Sequence, residues 1–142
     1  MRKIYFILMI AASALTSCKK EGCTDPDAVN YNADAGKDDS SCKYEGSIVF
    51  WYRQDIADDL AMNGVSLLAA SFFIENVGTH VPNNPTSSAP ECGAVGSFTI
   101  VRDMGSNKTQ LIDYLVEEVD GFGFWGDVVT LQANKCKAIE LY

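Results

Sequence analysis

Apolar and polar positions divide this chain into three regions. Ile4 to Leu15 is almost wholly apolar behind a basic Met1-Arg2-Lys3 start, and Thr16-Ser17 closes it with small residues. At about 12 residues the run falls short of the roughly 20 that a membrane-crossing helix needs, so 1–17 reads as a cleavable export leader. Residues 23–45 are polar, small or turn-forming almost throughout, with no room for a long helix or strand. From Gly46 to Tyr142, short runs rich in β-branched and aromatic residues are divided by Gly, Pro and Asn.

That last region predicts strands near Ser47–Arg53, Val65–Ala70, Phe72–Val77, Ser97–Met104, Leu111–Val119, Trp125–Ala133 and Lys137–Tyr142. The final one alternates well, Ile139 and Leu141 against Ala138 and Glu140. Turns are expected at Asn63-Gly64, Gly105-Ser106-Asn107, Asp120-Gly121 and Asn134, and a long loop where Pro82, Pro85 and Pro90 precede Cys92. Asp55–Met62 fits a helical turn as well as a loop. Residues 108–119 suit a helix through Leu111, Leu115 and Val119, and a strand through Ile112, Tyr114 and Val116. Six or seven short strands around one core predict a mainly β fold, a small antiparallel β-sandwich over 46–142.

Leu15-Thr16-Ser17-Cys18 resembles the lipobox of bacterial lipoproteins: an apolar residue, two small residues, then the cysteine that receives lipid. The resemblance implies a diacylglycerol on the Cys18 thiol, cleavage before it and acylation of the new amino terminus, enough chains for stable anchoring. Residues 18–22 would then be the lipidated cysteine and a polar tether. Lys19-Lys20-Glu21 is also similar to the Lys-then-acid tag of some surface-displayed Bacteroidetes-type lipoproteins.

The cysteine count agrees. Lipid on Cys18 removes one of five and leaves Cys23, Cys42, Cys92 and Cys136, which allow three connectivities. Outside the cytoplasm they are expected to pair. The organisation of the chain favours Cys23–Cys42 and Cys92–Cys136, each pair lying within one compositional region. A disulfide closing the 23–42 loop would contribute roughly 3 kcal/mol to a segment too polar to order itself.

Cys23-Thr24-Asp25-Pro26, Asn30-Tyr31-Asn32 and Asp38-Asp39-Ser40-Ser41-Cys42-Lys43-Tyr44 resemble a short repeat of Bacteroidetes surface proteins, with Ser40 where that repeat has glycine and Ala33 where it has proline. Gly46-Ser47-Ile48-Val49-Phe50-Trp51, Pro90-Glu91-Cys92-Gly93, Trp125-Gly126-Asp127-Val128-Val129-Thr130-Leu131 and the closing Cys136 are similar to small lipoprotein sandwich domains of the same bacteria. This chain departs from them in having Trp125 and Gly126 adjacent, and 52–81 does not align. The resemblance implies a sandwich in which Cys92–Cys136 ties the central loop to the last strand. It implies no chemistry.

Charge narrows the partners. The chain carries 11 basic and 19 acidic residues, net −8. Without Arg2 and Lys3 the balance is 9 against 19, or −10. Nucleic acid is excluded as a partner, since its affinity comes from Lys and Arg on phosphate. Calcium remains open as a structural cofactor, because Asp25, Asp27, Asn30, Asn32, Asp34, Asp38 and Asp39 supply hard oxygens. Their spacing is not the EF-hand pattern, and the favoured alternative is that these side chains cap turns.

Catalytic signals are weak. His80, the only histidine, lies in Gly78-Thr79-His80-Val81-Pro82 without a nucleophile motif. A lone histidine cannot form a multi-histidine zinc site. Asp58-Asp59 and Glu117-Glu118 read as solvated surface. Gly121-Phe122-Gly123-Phe124-Trp125-Gly126 lacks the Lys-Ser/Thr of a phosphate loop. No enzyme is expected. Trp51, Tyr52 and Trp125 are the best candidates for a ligand platform. Neighbours on a strand face opposite ways, so Trp51 and Tyr52 cannot both point inward from one sheet, which leaves one of them open to exposure. The favoured reading packs most of these rings in the core.

The expectation is therefore a non-catalytic lipoprotein anchored by lipid, in the outer membrane on its periplasmic or cell-surface face, with a protein or glycan partner. The alternatives are a carbohydrate- or peptide-binding module using exposed aromatics and, behind it, a hydrolase or inhibitor using His80.

Overall fold

The computed structural model describes residues 19–119 and 123–142; the expected leader at 1–17, Cys18 and the Asp120-Gly121-Phe122 stretch lie outside the described residues. The strands are β1 (Tyr44–Tyr52), β2 (Leu68–Phe72), β3 (Glu75–His80), β4 (Phe98–Gly105), β5 (Thr109–Glu118), β6 (Gly123–Gln132) and β7 (Cys136–Leu141), with α1 (Gln54–Met62) after β1; burial alternates most clearly along β5, while β2 is buried throughout. Two sheets form, in strand orders β4-β1-β7 and β3-β2-β5-β6. All strand pairs are antiparallel except β1–β7, which is parallel. The predicted sandwich is present.

The core lies between the sheets. Ile48, Phe50 and Tyr52 of β1 face Leu68, Ala70 and Phe72 of β2 and Ile112, Tyr114 and Val116 of β5. Phe50 sits between the rings of Phe98 and Tyr114, at centroid distances of 5.5 and 5.3 Å. Burial of each such side chain stabilises by roughly 1.5–3 kcal/mol. The two readings of 108–119 resolve in favour of the strand. Ile112, Tyr114 and Val116 are buried in alternation while Leu111 is 64% exposed, and β2 and β6 satisfy the backbone on either side.

One expectation shifts. The expected strands Val65–Ala70 and Phe72–Val77 put the break between them at Ser71, yet Ser71 is buried inside β2 and the turn falls at Phe73-Ile74. Phe73 takes a left-handed φ of 58° and Ile74 is fully exposed. Apolar side chains in a turn disguise it, because hydropathy marks them as strand interior.

The helical alternative at Asp55–Met62 is realised as α1, which buries Ala57 and Leu60. Its stop is built from Asn63-Gly64-Val65. Gly64 has φ 73°, its N–H reaches Ala61 O at 3.1 Å, and Val65 N–H reaches Leu60 O at 2.9 Å. These are the paired bonds of a Schellman cap, with Val65 and Leu60 both in the core.

The acidic module, predicted as a separate stretch ending at residue 45, runs into β1 at Tyr44. Cys23, Ala28 and Cys42 belong to the same buried cluster as the sandwich. Lys19 to Gly22, expected as a tether, lies against the module: Gly36 N–H bonds Lys20 O at 2.9 Å and Gly22 N–H bonds Lys37 O at 3.1 Å.

Candidate functional site

Val49 and Trp51 point away from the core side chains of β1, yet Val49 is fully buried and Trp51 nearly so. The 81–97 loop is the reason. It is held across the outer face of the β4-β1-β7 sheet at three points. Thr86 N–H bonds Tyr52 O at 2.9 Å, Gly93 N–H bonds Thr99 Oγ1 at 2.9 Å, and Cys92 is disulfide-bonded to Cys136, which pairs with Ser47 on β1. Arg53 closes the side of Trp51, its guanidinium 5.8 Å from the ring and its Nε 2.6 Å from Glu140.

Under the end of this loop is a pocket of about 130 Å³. Phe50, Trp51, Tyr52 and Phe98 supply its aromatic wall, and Asn84, Thr86 and Gly96 its rim. His80 stacks on Phe98 at 5.0 Å with the rings 13° apart, and its Nε2 lies 3.3 Å from the Tyr52 hydroxyl. Burial lowers the His80 pKa from its ordinary value and raises that of Tyr52, the latter opposed by a hydrogen bond from the Asn84 backbone. Both groups are neutral near pH 7. A larger cleft of about 470 Å³ lies at the seam between the acidic module and the sandwich, bordered by Pro26, Ala28, Glu45 and Lys135, and is open to solvent.

The predicted site residues divide accordingly. Both expected disulfides, Cys23–Cys42 and Cys92–Cys136, are formed. Trp51 and Tyr52 are both buried, in line with the favoured core reading, and neither is the exposed ring that alternation left open: β1 is the central strand of its sheet and has cover on both faces. Trp125 is partly buried against the core, and its Nε1–H donates to Tyr142 O at 2.8 Å. These three rings form no shared surface platform. His80, expected in a loop, ends β3 opposite Leu68.

The acidic oxygens serve turns. Asp25, Asn32, Asp38 and Asp39 each accept a backbone N–H two residues on, and Asn30 bridges Ser41 O and Lys43 N–H. Asp25 also accepts from the Tyr44 hydroxyl at 2.7 Å and pairs with Lys108. Hydrogen bonds from Lys108 and Tyr44 hold its carboxyl below the usual carboxylate range. Among the described residues no group of three His, Cys, Asp or Glu is arranged to hold a metal ion.

Sequence reasoning dismissed His80 along with catalysis and so missed its place in the pocket with Asn84 and Phe98. The proline-rich loop ending in a cysteine was the available signal. A loop tied to a distant strand must lie across whatever separates them.

No family model, curated protein or solved structure matches the chain.

Proposed function

We propose that the chain is an exported, non-catalytic lipoprotein, held on the outer membrane by lipid on Cys18 and exposing the sandwich as an interaction domain on the periplasmic or cell-surface face. The pairing of the other four cysteines carries this reading. It leaves Cys18, directly behind Leu15-Thr16-Ser17, as the thiol to be acylated. Two disulfides fit an oxidising compartment outside the cytoplasm. Among the described residues no helix is long and apolar enough to cross a membrane.

The packing of Lys19 to Gly22 against the module adds a geometric consequence. Backbone contacts begin at Lys20, so a lipid on Cys18 is separated from the folded body by one or two residues, at most about 7 Å of chain. The acidic module then rests at the membrane surface instead of standing off on a stalk, and the far parts of the sandwich face the partner.

Labelling cells with radioactive palmitate, wild type against Cys18→Ala, tests the anchor. Label is expected in the wild type and not in the variant; an unlabelled wild type overturns the reading. Protease treatment of intact cells then separates the two faces of the membrane.

A further inference from the structure

Going beyond anchoring, we propose that the pocket beneath the 81–97 loop is a binding site for a small uncharged ring compound bearing one hydroxyl, a phenol or a cyclic alcohol. Its volume of about 130 Å³ suits one ring, since a buried apolar cavity of roughly 150 Å³ accepts benzene. Phe50, Trp51, Tyr52 and Phe98 give it aromatic walls, and no Asp, Glu, Lys or Arg lines it. In a chain of net charge −8 that omission selects against ions, because a charged ligand would lose hydration and find no counter-charge. A hexose fits poorly: most of its hydroxyls would be left without partners against these rings.

The hydroxyl preference follows from His80. Tyr52 Oη and His80 Nε2 share one hydrogen bond at 3.3 Å, which leaves Nδ1 as the other polar atom of the neutral ring, a donor in one tautomer and an acceptor in the other. Among the described residues no hydrogen bond is made to Nδ1, and a ligand hydroxyl, which both donates and accepts, can pair with it in either tautomer. The stack on Phe98 fixes the plane of the imidazole. Depression of the His80 pKa keeps the ring neutral and preserves this arrangement near pH 7.

The pocket is also preformed. The loop over it is held at Thr86, Cys92 and Gly93, and Asn84 packs against Gly96, where an added Cβ would come within 2.6 Å of Asn84 Nδ2. Little ordering cost then falls on the ligand.

Titration of the purified protein with phenol, followed by amide and indole NMR shifts, tests the proposal and does not depend on Cys18 acylation. Saturable shifts are expected at Trp51, His80 and Gly96 and not at Leu111 or Val128, with a dissociation constant on the order of 1 mM for so small a ligand. Benzene should bind about tenfold more weakly and benzoate not at all. His80→Phe keeps an aromatic ring over Phe98 and should erase the preference for phenol over benzene. No saturable shift at these three residues with either neutral ring overturns the site, as does equal binding of benzoate. Persistence of the phenol preference in a folded His80→Phe overturns the role of His80. Contacts between phenol protons and the Trp51 ring, read by nuclear Overhauser effect in the wild type, decide the site even if the variant does not fold.

Discussion

Gly78 occupies a position on β3 where a side chain meets β4: an added Cβ would lie 2.4 Å from Ile100 Cδ1. Ile100 is itself buried, so its methyl must turn into packed neighbours to make room. Gly78→Ala is expected to cost about 1 kcal/mol and Gly78→Val up to about 3, read as a lower midpoint in urea denaturation. An unchanged midpoint for Gly78→Val would show that the two sheets are not this close. Trp51 makes the opposite point at the same scale. Its type and alternation allow either a surface ring or a buried one, and the roof of the 81–97 loop decides.

At the scale of elements, α1 ends where Gly64 can enter the left-handed region, which an L side chain adopts only at a cost. Gly64→Ala is expected to lose roughly 1 kcal/mol through strain in the Schellman cap, with no atom in the way of the new methyl. Comparing thermal melts of Gly64→Ala and Gly64→Asn checks this, since asparagine tolerates the same φ and should lose less. The 81–97 loop depends on its covalent tie. Replacing Cys92 and Cys136 together by alanine opens a link spanning 44 residues and is expected to cost on the order of 4 kcal/mol. Hydrogen exchange should then rise first in 81–97, and protection there as strong as in the wild type would mean that hydrogen bonds alone hold the loop. The Asn63-Gly64 stop and this proline-rich loop were both legible in the sequence. The Phe73-Ile74 turn was not, because its residues are apolar and only the pairing of β2 with β3 and β5 reveals that they project from the end.

Across the whole molecule, acid should loosen the protein in two stages at opposite ends. His80 is held neutral by burial, with its pKa below 6.5. The unfolded chain therefore binds the proton more readily, so this contribution is complete above about pH 6.5 and falls away as pH drops through the depressed value. Asp25 is held charged by Lys108 and Tyr44, below 3.8. Its contribution is complete above that ordinary value and is lost as pH falls further, releasing the acidic module. Thermal melts across pH 3–7 should show His80→Phe flattening the upper stage and Asp25→Asn the lower. The same slope in wild type and Asp25→Asn below pH 4 would remove Asp25 from the docking of the module.

By itself the sequence determined what is local. The run from Ile4 to Leu15 is almost wholly apolar, the acidic loop has a cysteine at each end, and Ile139 and Leu141 alternate with their neighbours because a strand repeats every two residues. The Asx turns at Asp38 and Asp39 belong to this class, since each side chain reaches only two residues ahead. Only the tertiary structure decided what lies against each face. The parallel pairing of β7 with β1, the burial of both Trp51 and Tyr52, and the meeting of His80 with Asn84 and Phe98 all join residues far apart in the chain. Alternation states that a strand has two faces. Which of them is covered is settled by long-range packing, and in this protein the 81–97 loop, tied down by Cys92–Cys136, covers the face that alternation left open.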